Sequence, residues 1–153
     1  MQNDLEQILL YFCEKYPHKR ELSKARLTKM VYLADWSNTL RHGSQITEIV
    51  WELNHFGPYV EDVSDVATES PCFTIERSEN MYGNSKDVIY VNEKAYNPDL
   101  SLEVKETLDF IIDNTKNLHW NGFIQLVYST YPVVSQPRYS QLNLVSLAKE
   151  YQK

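Results

Sequence analysis

Ser23 and Gly43 bracket the segment that most limits what this chain can become. A serine there is suited to cap a helix and a glycine to end one. The spacing predicts a helix of about 20 residues, roughly 30 Å long and able to cross a small domain. Leu27, Met30, Val31, Ala34 and Leu40 recur along one side of it. Within the apolar run LTKMVYLADW stands one acid, Asp35. An Ile46-Thr47 pair follows the glycine, and then a Gly57-Pro58 break held between Phe56 and Tyr59.

Around this helix the periodicities predict an α+β fold, predominantly helical, with a small antiparallel hairpin in the middle. Asn3 or Asp4 can cap a first helix that runs to about Tyr16, with Leu5, Ile8, Leu9 and Phe12 inward and Pro17 as its stop. Ile49-Val50-Trp51 reads as a short strand or an irregular crossing. Val60 to about Ser70 reads as a helix with Val60, Val63, Val66 and Ala67 inward. FTIERSE and DVIYVNE alternate around Gly83-Asn84-Ser85, which predicts a hairpin. Asn97 or Ser101 can cap a helix to about Lys116, its buried side marked by Leu102, Leu108, Ile111, Ile112 and Thr115. A shorter helix fits residues 121–130. Pro132 and Pro137 fence a loop, and a last helix fits residues 143–151.

A chain of 153 residues predicts one domain over 1–153, large enough to build a core without staples. No apolar run approaches the roughly 20 residues of a membrane helix, so no membrane partner is expected. Cys13 and Cys72 are far apart and form no C-x-x-C pair; buried free thiols in a reducing, cytoplasmic setting are expected. The net charge of −6 disfavours general binding to nucleic acid, where phosphate neutralisation supplies most of the affinity. The charge is uneven. Residues 14–29 hold six basic side chains and two acids, whereas residues 46–113 hold fifteen acids and four bases. Solvated helix faces account for both stretches. A functional reading is a bipolar surface that steers a charged protein partner.

Catalytic signatures are missing. The histidines His18, His42, His55 and His119 show no H-E-x-x-H spacing, and no nucleophile elbow or phosphate-binding loop occurs. His18 and His42 adjoin basic residues in turns, where solvated surface is expected, and His119 marks a helix start. Glu52 and His55 are three residues apart beside the Gly57-Pro58 break, and with Asp35 they define one alternative, a small metal- or acid/base-dependent enzyme. Otherwise no catalytic residue, metal or cofactor is expected. Asp35 reads either as an exposed acid near a helix end or as a buried anchor, with Gly57 among the possible donors. Tyr32, Trp36, Phe56 and Tyr59 would frame the same corner, as core or as interface aromatics.

At these residues the chain resembles the SocA-like antitoxins, or Panacea domain, and phage-associated GepA proteins look similar. Members show a basic residue and two aliphatics before Tyr-Leu-Ala-Asp, as at Lys29, Met30, Val31 and Tyr32 to Asp35. A Gly, a Pro-Ile-Thr-like segment and an aromatic-Gly-Pro-Val turn follow, matched by Gly43, Ile46-Thr47 and Phe56-Gly57-Pro58. VYSTYP (127–132) and LAKEY (147–151) match the C-terminal part. Tyr59 intervenes before Val60, and Gln45 stands where Pro is common. The resemblance implies a type II antitoxin that neutralises a cognate toxin, by direct binding or by delivery to an ATP-dependent protease. Its signature residues here are Tyr32, Asp35, Trp36, His55, Phe56, Gly57, Pro58 and Tyr59.

Overall fold

A computed structural model describes residues 2–79, 83, 85–92 and 98–153. In chain order the elements are α1 (Gln2–Lys15), a 3-10 turn (Lys19–Glu21), α2 (Lys24–His42), β1 (Trp51–Asn54), β2 (Gly57–Tyr59) and α3 (Asp62–Glu69). They continue with β3 (Phe73–Glu79), β4 (Ser85–Val91), α4 (Leu102–Thr115), α5 (Trp120–Tyr128), α6 (Tyr131–Ser135), β5 (Ser140–Leu142) and α7 (Leu144–Tyr151). The fold is α+β and predominantly helical, with small antiparallel sheets.

α2 begins and ends as its sequence dictates. Ser23 Oγ accepts from the Arg26 N–H at 3.1 Å. Gly43 adopts φ 82°, and its N–H closes on the Thr39 carbonyl. All fourteen residues from Arg26 to Thr39 are buried. A helix sealed on every side must be the centre of its domain. α1, α3, α4 and α7 pack around it, together with both sheets. The core is one contiguous cluster that draws on Phe12, Tyr16, Leu27, Met30, Trp51, Leu108 and Phe123.

The three-stranded sheet has the order β2-β1-β5, all antiparallel. The second sheet is the hairpin β3-β4, paired from Phe73↔Val91 to Glu79↔Ser85. Ser23 bridges to Val88, and the Ile89 N–H donates to the Leu22 carbonyl, so the start of α2 is stitched to β4.

Several expectations hold. Ser101 caps α4, accepting the Val104 N–H, and a last helix does occupy the expected stretch, with Asn143 standing just before α7 as its cap rather than inside it. Cys13 and Cys72 are free and buried; burial pushes the Cys13 thiol up to about 12.

Others are corrected. Asn3 and Asp4 lie inside α1, which already starts at Gln2. Val60 is buried but precedes α3, which begins at Asp62. Leu102 occupies the first turn of α4 and is exposed, whereas Val104 packs against the core and full burial starts at Thr107 and Leu108. Instead of a loop between Pro132 and Pro137, Pro132 sits in the first turn of α6, where its missing N–H costs nothing. β5, beyond Pro137, completes the sheet. Gly57 and Pro58 form strand β2 rather than a turn; the turn is His55-Phe56. Pro58 is tolerated because β2 is an edge strand. Ser85 belongs to β4, while Asn84 and Asn97 lie outside the described residues.

The basic stretch is also not a purely solvated face. Arg26 is 2% exposed and Lys29 4%. Burial lowers the pKa of the Lys29 ammonium below its ordinary 10.5. A base with a lowered folded-state pKa opposes folding while charged in both states, and that opposition fades as pH rises toward the unfolded value. Unfolding titrations are therefore expected to show stability rising with pH in the window below 10.5, with Lys29→Met removing that component.

Candidate functional site

Asp35 is completely buried, and every group bonded to its carboxylate is a donor. Oδ1 accepts the backbone N–H groups of Ile46 and Thr47, both at 2.9 Å. Oδ2 accepts the Thr47 hydroxyl at 2.5 Å, the Trp51 indole N–H at 2.9 Å and the Gln45 amide at 3.2 Å. A carboxylate offers about four lone-pair sites, so five donors saturate it. Burial pushes its carboxyl above the ordinary value, and the bonds from Thr47, Trp51 and Ile46 pull it back toward ionisation.

The sequence explains why the donors converge. Gly43 turns the chain back over α2, and Asn38 holds the turn by donating to the Ser44 carbonyl at 2.9 Å. This brings residues 45–47 across the helix at the level of Asp35. The strand alternation of β1 then sends Trp51 and Leu53 inward and Glu52 outward. Trp51 lies edge-on against Tyr32 at 5.6 Å, and the Tyr32 hydroxyl bonds with that of Thr130 at 2.8 Å. Hydrogen bonds and one ring contact thus tie α2, the 44–50 segment, β1 and the start of α6.

Gly57 takes no part in holding Asp35, contrary to the expectation from sequence. It serves the hairpin instead. Its φ is +98°, and a Cβ there would stand 2.6 Å from Tyr128 Cε1. Gly57→Ala is expected to cost about 1–3 kcal/mol through both strain and overpacking, read as a lower urea midpoint.

The hairpin turn is set by Asn54, whose side-chain oxygen accepts the Phe56 N–H at 2.9 Å. This leaves Phe56 70% exposed, with His55 edge-on to its ring. Tyr128 and Val134 line a hollow of about 300 Å³ beside the turn, and both are partly or largely exposed. Tyr139, also exposed, is tied to β1 by its N–H on the Leu53 carbonyl.

The remaining signature aromatics separate. Trp36 is buried toward α7 and meets Tyr151 at 6.1 Å. Tyr59 is half-buried, and its hydroxyl donates to Glu61 at 2.9 Å. They do not frame one corner with Phe56.

Asp35, Glu52 and His55 are not brought to one centre. Asp35 is sealed on the Trp51 side of β1, whereas Glu52 projects from the opposite face and His55 stands exposed at the turn. Among the described residues no group of three His, Cys, Asp or Glu is placed to hold a metal ion. No described helix is long and apolar enough to cross a membrane.

Sequence reasoning assigned no role to Gln45, Trp51, Tyr128 or Thr130. Asking which donors could satisfy an acid on an apolar helix would have pointed to the polar residues and the tryptophan just after Gly43.

No curated protein and no solved structure gives a significant match to the chain. One family model does, described as antitoxin SocA-like, Panacea domain, over residues 27–132. That span contains Asp35, all its donors, the Phe56 hairpin and Thr130. It covers well over half of the sequence, and the chain belongs to the SocA-like antitoxin family, the Panacea domain.

Proposed function

We propose that this chain is the antitoxin of a type II toxin–antitoxin system. One Panacea-like domain over 1–153 acts in the cytoplasm as a protein-binding module. It neutralises a cognate toxin by direct binding or by delivering it to an ATP-dependent protease. The match over residues 27–132 carries this reading.

The site's physics supports it. The Asp35 network consumes all its polar capacity internally, which suits a brace and leaves nothing to react with a substrate. The brace holds the root of β1, and the hairpin grown from that strand exposes Phe56. A large exposed aromatic beside Tyr128 and Val134 has the character of a binding anchor, with little to gain from water.

The test is a pull-down with the product of the neighbouring reading frame, together with rescue of growth when that product is expressed. Binding and rescue are expected. Phe56→Ser should leave the unfolding midpoint unchanged and weaken capture about tenfold or more, the size of an interface anchor. A neighbouring product that neither binds nor is neutralised would sink the proposal.

A further inference from the structure

Among the described residues, Tyr139 is the one residue other than glycine with a left-handed backbone, at φ 69°. The conformation leads the chain into β5. There the Tyr139 N–H donates to the Leu53 carbonyl and the Ser140 hydroxyl to the Pro137 carbonyl. Glycine or asparagine would hold this turn at less cost, because a Cβ crowds the following carbonyl oxygen in that region. Burial does not explain the ring either, since Tyr139 is 76% exposed. A bulky side chain that strains the backbone and then stands in water serves neither the turn nor the core. Such an outlier argues for a use outside the fold.

Its surroundings point to that use. Leu53, which accepts the Tyr139 N–H, and Arg138, which precedes it, both line the hollow of about 300 Å³ beside the Phe56 turn. Exposed Phe56 stands between two other lining residues, His55 and Gly57. Tyr128 and Val134 give the hollow its apolar wall. Arg138 is exposed, and its side chain has no ion pair or hydrogen bond among the described residues. Lys24, Arg77 and Lys116, by contrast, each have a carboxylate at 3.4 to 3.8 Å. No Asp or Glu lines the hollow, in a chain of net charge −6. A guanidinium beside apolar walls, with no acid of its own, is complemented by a carboxylate from outside.

We propose that this hollow takes a segment of the cognate toxin that carries an apolar side chain next to a carboxylate. The apolar side chain enters against Tyr128 and Val134, the carboxylate meets Arg138, and Phe56 and Tyr139 are the anchoring rings. Tyrosine and arginine are among the residue types that most often carry binding energy at interfaces. The toxin as occupant rests on the antitoxin reading; the chemistry of the segment rests on the hollow.

The probes are the peptide acetyl-Glu-Leu-Glu-amide and its uncharged counterpart acetyl-Gln-Leu-Gln-amide. Each is titrated into the full chain while the Gly57 amide signal is followed by NMR. A saturable shift is expected with the acidic peptide, which should bind about threefold or more tighter than the neutral one, the size of one exposed ion pair. Arg138→Glu should abolish that preference. Tyr139→Asn should keep or raise the unfolding midpoint, because the backbone strain is relieved. It should also weaken capture of the neighbouring product about tenfold, and Arg138→Glu should weaken it about threefold or more. A Gly57 signal that does not move, equal affinity for the two peptides, or a preference that survives in Arg138→Glu overturns the inference. So does a lower midpoint in Tyr139→Asn, which would make the ring part of the fold. So does a chain that dimerises and becomes monomeric in Tyr139→Asn, since a second copy then fills the hollow. If the product binds wild type and both variants equally, the hollow inference falls and the antitoxin reading stands. If the peptides behave as expected but the product binds nowhere, the antitoxin reading falls and the toxin is excluded as occupant.

Discussion

Asp35→Asn is expected to destabilise this protein by about 3–5 kcal/mol, measured as a fall in the free energy of unfolding in urea. The change is nearly isosteric, so the loss comes from polarity rather than volume. An asparagine oxygen can still accept the Ile46 and Thr47 N–H groups. Its NH2 then faces the Trp51 indole N–H and the Gln45 amide, two donors that cannot turn into acceptors in place. Thr47 can rotate its hydroxyl, but only by giving up its bond to the acid. Each orphaned buried donor costs roughly 1–3 kcal/mol. Asp35→Ala should be at least as severe, since it strands all five donors. The partners share one network, so Trp51→Phe and Asp35→Asn should combine to much less than their sum. A double variant that loses the full sum would show that the indole bond is not part of that network.

The second large effect is expected at Arg26. Its Nη2 donates to the Tyr16 hydroxyl at 2.6 Å and to the carbonyls of Thr115 and Leu118 at 2.9 and 2.8 Å. Its guanidinium lies 4.3 Å from the Phe123 ring centre. These groups close the C-terminal end of α4 and the start of α5 against α2. Arg26→Met retains most of the packing and removes the bonds, with an expected loss of about 2–4 kcal/mol. Arg26→Lys should recover little, because an ammonium has neither the planar fork nor the stacking face. Full rescue by lysine would mean that charge alone matters there.

What the sequence made legible was chemistry that acts over three or four residues. Ser23, Gly43 and Ser101 set helix ends by their own side chains or backbone freedom, and each was readable. The β3-β4 alternation was readable for the same reason. β2 and β5 were not, because three residues cannot display a period and Pro58 reads as a turn. Burial of Arg26 and Lys29 was hidden too, since a basic residue on an amphipathic helix normally reaches water. The fate of Arg26 is set at the end of α4, about ninety residues away. Asp35 was legible as a choice between surface and anchor. Only the placement of residues 45–51 decided it, and Gly57, the nearest donor suggested by the motif, was displaced by Trp51.

The two polar ties also differ in when they can form. The donors to Asp35 lie 10 to 16 residues along the chain from it. Bringing such near neighbours together surrenders little chain entropy and takes well under a microsecond for loops of this size. The Arg26 contacts with Thr115 and Leu118 span 89 and 92 residues and must await collapse of nearly the whole molecule. Folding should therefore start from the corner that marks the family, with the arginine latch closing late. Substitutions near Asp35 should slow refolding, and Arg26→Met should chiefly accelerate unfolding; chevron kinetics showing the reverse would exclude this order of assembly.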